Sequence, residues 1–294
     1  MKKDMSGARN GLKKIASFWI GDQLSYVEFL VIQSYLDNGH DFILYTLDDV
    51  GPVPKGIELR DARSILDPAF PLGPGRRHNN AVFSDIFRLL MIQETGAIWS
   101  DLDAYCLRPI NLPTDYVFGI EIEPDGIANG ILGLPPESQA LQRSIELVSM
   151  KNPIPPYFIR KHRKRYAEAA ARGETFGFEN FSWGASGPKL LSHFLKESGE
   201  IVHAQPKDVF YPGPRPFRRP LLRPDVPDSV FETDMTLSIH FWGKTKKFLL
   251  EDHDGLPPEG CYLDRLCRRH GINAEDYPIA RTAAIPRNSA GMDN

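Results

Sequence analysis

The apolar positions of this chain alternate between two spacings. Residues 15–20 (IASFWI) form a short apolar run that reads as a buried strand. After a loop at residues 21–24 the spacing becomes helical. Val27, Leu30, Val31, Ser34 and Tyr35 make one mostly apolar stripe. Ser25 opens that helix, and Glu28 completes a capping-box pattern. Asn38-Gly39 stops it, and residues 41–47 (DFILYTL) read as the next strand. Strand, helix and strand in that order favour a parallel sheet.

The alternation continues. Residues 51–54 predict a turn, 56–59 a short strand, and 68–75 a Pro/Gly loop. Asn79 or Asn80 can cap the next helix, which carries Asp85 and Arg88 and ends at Gly96. Residues 97–100 are a strand that runs into Asp101-Leu102-Asp103. Residues 117–123 and 127–134 read as two strands joined by a turn at Pro124-Asp125-Gly126, and 136–150 as a helix. From Lys151 the character changes: a Pro-rich linker at 153–156 precedes the basic helix IRKHRKRYAEAAARG, which ends at Gly173. A helix at 188–197, a Pro/Arg-rich loop at 211–227, a strand at 238–242 and a helix at 259–270 follow. No internal repeat is present. The pattern predicts one α/β domain over residues 1–275, with a helical insertion at 151–185 and a loose tail at 276–294.

Composition narrows the class. The 294 residues, 41% hydrophobic and 25% charged, suit one large soluble domain or two small ones. A net charge of −3 gives no reason to expect nucleic acid as a partner. Cys106, Cys261 and Cys267 make no disulfide framework or zinc pattern and fit a reducing, cytoplasmic setting. The basic N-terminus lacks the apolar core of a signal peptide, and no apolar run is long enough to span a bilayer.

The candidate chemistry centres on Asp101 and Asp103. On a continuing strand both would lie on one face, with Leu102 on the other. Two close carboxylates repel unless a cation or an arginine intervenes. Hard oxygen ligands suit magnesium or manganese, which also bind phosphate oxygens. The plain alternative is a solvated acidic turn. Asp85 and Arg88 share a helix face, and a surface pair of that kind is worth little. Their neighbours Val82, Phe83, Ile86, Phe87, Leu89, Leu90, Met91 and Ile92 instead predict a mostly buried helix. Read alone, Trp19 is a core aromatic, Asn129-Gly130 a turn, and Ser186-Gly187-Pro188 a helix start. His240 is then a half-buried strand residue.

In combination, Ser84-Asp85-x-x-Arg88, Gly96, an apolar strand, Asp101-x-Asp103 and Arg108-Pro109 resemble the DXD sugar-binding region of glycosyltransferases. That family includes capsular polysaccharide enzymes, alpha-1,4-galactosyltransferases and alpha-1,6-mannosyltransferases, and more remotely the clostridial glucosylating toxins. Phe18-Trp19-Ile20-Gly21, Asn38-Gly39-His40 and Leu44-Tyr45-Thr46 are similar to its opening strands, whereas Gly96-Ala97-Ile98-Trp99 departs from its usual Gly-Gly-Ile-Tyr. The resemblance covers residues 15–135 and is fragmentary beyond. It implies a GT-A-type fold, a doubly wound nucleotide-binding sheet. It implies a metal-dependent, retaining transferase that moves a sugar from a nucleotide-sugar to a carbohydrate or lipid-linked glycan in surface polysaccharide or glycolipid synthesis. A UDP-sugar is the favoured donor.

By this resemblance Trp19 stacks on the base, and Asp85 and Arg88 hold sugar hydroxyls and phosphates. Asp103 ligates Mn2+ or Mg2+ directly, and Asp101 contacts ribose, sugar or the ion through water. Asn129 faces a sugar, and the step at Ser186 to Pro188 lies near the acceptor. His240 completes the metal site, Lys244 neutralises the leaving diphosphate, and Trp242 packs over it. Two basic stretches stay open: Arg160 to Arg165 as a solvated face or a dock for anionic lipid at the inner membrane face, and Arg215, Arg218, Arg219 and Arg223 as a loop over the diphosphate. A sugar nucleotidyltransferase would need a Gly-rich phosphate loop, which Gly21-Asp22-Gln23-Leu24 is not. A non-catalytic carbohydrate- or nucleotide-sugar-binding protein on the same fold is the other rival, opposed by the intact Asp85, Arg88, Asp101 and Asp103.

Overall fold

A computed structural model describes residues 11–212 and 219–280. β1 (Ile15–Trp19) pairs in parallel with β2 (Phe42–Thr46), and α1 (Tyr26–Asp37) connects them. Glu28 closes the predicted capping box, accepting from Ser25 N at 2.9 Å and Ser25 Oγ at 2.6 Å. β3 (Glu58–Asp61) adds in parallel beyond β2. α2 (Arg77–Thr95) returns the chain and ends at Gly96, whose φ of 66° is left-handed. β4 (Ile98–Ser100) then pairs in parallel with β1 on its other side.

β5 (Ala104–Cys106) leaves this sheet. β6 (Val117–Ile122) and β7 (Gly126–Gly133) form an antiparallel pair, and β7 joins β4 antiparallel. The order is β3-β2-β1-β4-β7-β6, an α/β fold with a mostly parallel six-stranded sheet, compatible with a Rossmann-like fold. Period-two alternation divides the strands between two cores. Ile15, Phe42, Leu44 and Ile98 face α1. Ala16, Phe18, Ile43, Tyr45 and Trp99 face α2, α3 (Gln139–Ser149) and a later helix, whose buried residues include Leu190, Leu191 and Phe194.

The remaining helices are α4 (Arg160–Ala171), α5 (Pro188–Glu197), α6 (Lys207–Phe210), α7 (Lys244–Asp252) and α8 (Tyr262–Arg269). β8 (Ser238–His240) returns to pair antiparallel with β5 as a two-stranded ribbon beside α1. The three cysteines are buried and free. No described helix is long and apolar enough to cross a membrane.

Three expectations need correction. Asn79 and Asn80 do not cap α2 but lie inside it, after the N-cap Arg76. Their amides reach back to the Pro/Gly loop, Asn79 Nδ2 to Pro71 O at 2.9 Å and Asn80 Nδ2 to Gly73 O at 3.0 Å. The short amides bond those loop carbonyls from within the first turn, and Gly73 O also accepts Arg76 N–H at 3.2 Å. Second, the expected tail is docked at its start. Tyr277 stacks on Phe29 at 3.8 Å, and its carbonyl accepts Tyr26 N–H at 2.7 Å. Third, α7 follows the last strand directly, where no helix was expected. Arg215, Arg218 and residues 281–294 lie outside the described residues.

Candidate functional site

The strand order turns at β1: β2 and β3 lie on one side of it, β4 on the other. At such a switch point the connections leaving the carboxyl ends diverge and open a crevice. β1 ends at Trp19 and β4 runs into Asp101, so these two residues stand at that crevice. A cleft of about 800 Å³ opens there, lined by Trp19, Glu28, Asp85, Arg88, Asp101, Asp103, Asn129, Gly130, Trp183, His240, Trp242, Lys244 and Lys246 among others.

Asp101-Leu102-Asp103 is a turn and not a strand, which corrects the expected alternation. Asp101 N–H donates to Gly130 O at 2.7 Å, and its carbonyl accepts Ala104 N–H at 3.0 Å. The chain therefore reverses from β4 into β5 within three residues. The turn is not the solvated one of the plain alternative, because the side chains keep only 30% (Asp101) and 22% (Asp103) of their exposure. The β5–β8 pairing sets Ala104 opposite His240, and Phe241 N–H donates to Asp103 O at 2.7 Å. His240 Nε2 thereby stands 3.3 Å from Asp103 Oδ1 and 3.6 Å from Asp101 Oδ2. One ligand atom from each of the three lies within 4.8 Å of the others, a set that could hold a metal ion.

The protonation pattern follows from crowding. Burial alone would raise the Asp101 carboxyl, but Arg88, His240 and the Trp99 N–H together hold it below its ordinary value. Burial raises the Asp103 carboxyl, and the opposing attraction of His240 does not cancel it. Burial would lower His240, yet Asp103 and Asp101 raise it above the ordinary value. Trp242 N–H donates to Nδ1 at 3.2 Å, so the neutral ring carries its proton on Nε2, facing the carboxylates. Holding a cation there displaces that proton. Trp242 lies 4.2 Å from the His240 ring and has a left-handed φ of 63°, a strained conformation for a non-glycine.

Arg88 is enclosed by protein. It bonds Ser84 through Nε to the carbonyl at 3.2 Å and Nη2 to Oγ at 3.1 Å, and stacks 4.6 Å over Trp99. Its guanidinium lies 3.3 Å from both Asp85 Oδ1 and Asp101 Oδ1 and bonds the Asn129 carbonyl. The fork expected on substrate phosphates thus bridges two carboxylates instead, the arrangement a buried arginine requires. Asp85 accepts from Asn129 Nδ2 at 2.8 Å and Ser186 Oγ at 2.7 Å. Burial still raises its carboxyl, against the pull of Arg88 and those donors. Asn129-Gly130 lies within β7 and not in a turn.

Lys244 opens α7 on the cleft, exposed. Several neighbours were not singled out by the sequence. Lys246 pairs with the buried Glu28, and its Nζ stands 5.4 Å from the Trp19 ring. Tyr211 lies 5.8 Å from His240, and its hydroxyl accepts Ile131 N–H at 3.1 Å. Trp99 Nε1 donates to Asp101 Oδ1 at 2.8 Å. The Trp99-x-Asp101 spacing carried that last signal. Lys246 and Tyr211 had none, because they depend on where α7 and the chain after α6 come to rest. No protein-family model matches the chain, and no curated protein matches it.

Proposed function

We propose that the protein is a metal-dependent glycosyltransferase of the GT-A type, moving a sugar from a nucleotide-sugar to a carbohydrate acceptor, with a UDP-sugar as the favoured donor. The observation that carries this is the convergence of Asp101, Asp103 and His240 within 4.8 Å in a cleft at the switch point of a parallel sheet. Two carboxylates and an imidazole suit manganese or magnesium. An ion held there would offset the charge of a leaving nucleoside diphosphate.

The chain's own groups support a donor beside that cluster. Ser17 Oγ and Trp19 Nε1 are shielded from water, have no partner within the protein, and belong to residues lining the cleft. Buried polar atoms are seldom left unpaired, and the hydroxyls and carbonyls of a nucleotide would satisfy them. The half-buried Trp19 offers an aromatic face for the base. Lys244 adds a cation for the diphosphate. Arg88 keeps Asp101 ionised and Asp85 oriented, a positioning role. Asp85, Asn129 and Ser186 present fixed polar groups to a transferring sugar.

Thermal unfolding with UDP, GDP, CDP and dTDP, each with and without manganese, tests this reading. One nucleotide is expected to stabilise the protein, and only with metal; at 100 times its dissociation constant the gain is about 2.7 kcal/mol. Asp103→Asn removes that shift while the metal-free protein still folds, and turnover releases nucleoside diphosphate and not pyrophosphate. A protein indifferent to all four nucleotides would sink the proposal.

A further inference from the structure

We infer, resting on the transferase reading, that the Trp183 side of the cleft is the acceptor subsite and that it takes a saccharide bearing an anionic group. Trp183 is 55% exposed, a rare state for so large an aromatic, and it lines the cleft. An exposed aromatic face in a cleft suits the C–H face of a sugar ring. Two cleft residues from the start of α2 stand beside it. The Arg77 guanidinium carbon lies 5.1 Å from the Trp183 ring centroid, and the His78 ring 6.1 Å from it.

Neither residue has its polar capacity used by the protein. Among the described residues Arg77 pairs with no carboxylate, in contrast to Arg88, which bridges two. His78 Nε2 is shielded from water and makes no hydrogen bond within the protein. An arginine beside an exposed indole and without a carboxylate partner has an N–H fork suited to receive phosphate or carboxylate. The subsite is also near enough to the chemistry. Trp183 and Ser186, whose Oγ bonds Asp85, are three positions apart, so their Cα atoms lie at most ~11 Å from each other. That is about the length of one or two sugar units. The segment is distinct from the nucleotide side: Phe181 and Ala185 pack in the core on the α2 face, whereas Trp19 packs against the core on the α1 face.

Quenching of Trp183 fluorescence tests this, with Trp183→Phe defining the signal. The probes are glucose, glucose 6-phosphate and glucuronate, added to the full-length protein with UDP and manganese and again without them. A charged sugar is expected to half-saturate at about tenfold lower concentration than glucose. Arg77→Ala brings it to the level of glucose, and Arg77→Lys, which keeps the charge, restores part of the difference. Glucose 6-phosphate ahead of glucuronate assigns a phosphate-bearing acceptor, and the reverse order a uronate. Equal half-saturation for all three sugars, or a preference that survives Arg77→Ala, overturns the inference. The nucleotide-dependent thermal shift is read in parallel. Its loss with the charge preference intact would discard the donor reading and not the subsite.

Discussion

At the scale of single residues the site is a problem of crowded charge. Asp101 is held by the Trp99 N–H at 2.8 Å, by Arg88 at 3.3 Å and by its own N–H on Gly130 O at 2.7 Å. Gly130 is there because nothing larger fits: a β-carbon would stand 2.6 Å from His240 Nε2 and 3.2 Å from Asp101 Oδ2. Gly130→Ala is therefore expected to weaken manganese binding roughly tenfold or more, with a smaller loss of thermal stability, as titration calorimetry would show. His40 is a second case. Its Nδ1 donates to Lys13 O at 2.9 Å and its Nε2 accepts Ile110 N–H at 3.0 Å, so the ring is held neutral. Burial lowers it below the ordinary 6.5 despite the Lys13 carbonyl. A depressed folded value means that the unfolded chain takes up the proton first. The contribution of His40 is thus full above pH 6.5 and is lost as pH falls towards the folded value. His40→Gln should flatten the fall in denaturation midpoint between about pH 7 and 5; an unchanged slope would refute this account. Asp85, Arg88, Asp101 and Asp103 were legible in the sequence because they interrupt or follow apolar elements. Gly130 read there as half of an Asn-Gly turn and His40 only as the residue after a helix stop, since what constrains each is a neighbour distant in sequence.

Among the elements, α4 is the least comfortable. Arg160, Lys161, Arg163, Lys164 and Arg165 are exposed over its first two turns, and its first turn has no acidic residue. Cations there oppose the positive end of the helix dipole. The helix stands because Phe158, Tyr166, Phe176 and Phe181 pack together, tilted or edge-to-face, with ring centroids 4.7 to 6.1 Å apart. Replacing Arg160 and Lys161 by glutamate should raise the melting temperature at low salt, and the gain should shrink in high salt; a fall at low salt would contradict it. The basic character was plain in the sequence. The aromatic support was not, because Phe176 and Phe181 follow the helix in an irregular segment without period.

For the whole molecule, the strand-helix-strand reading of the first hundred residues anticipated β1, α1, β2, α2 and β4, because local periodicity and caps agree there with the final packing. Beyond residue 200 the elements are short and the pairings non-local, so periodicity had less to show: α6 has four residues and β8 three. The site spans this division. Asp85, Arg88, Asp101 and Asp103 come from the legible half, while His240, Trp242 and Lys244 arrive through β8 and its pairing with β5.

That pairing has a consequence for how the protein comes into being. A chain emerging from the ribosome presents both carboxylates, their arginine and most of the sheet long before His240 is synthesised. Until β8 finds β5, an event slowed by its long sequence separation, the two aspartates face each other without an imidazole. Completion of the Asp101-Asp103-His240 set is thereby tied to the pairing of β8 with β5, and a chain ended before residue 240 keeps both aspartates without their imidazole.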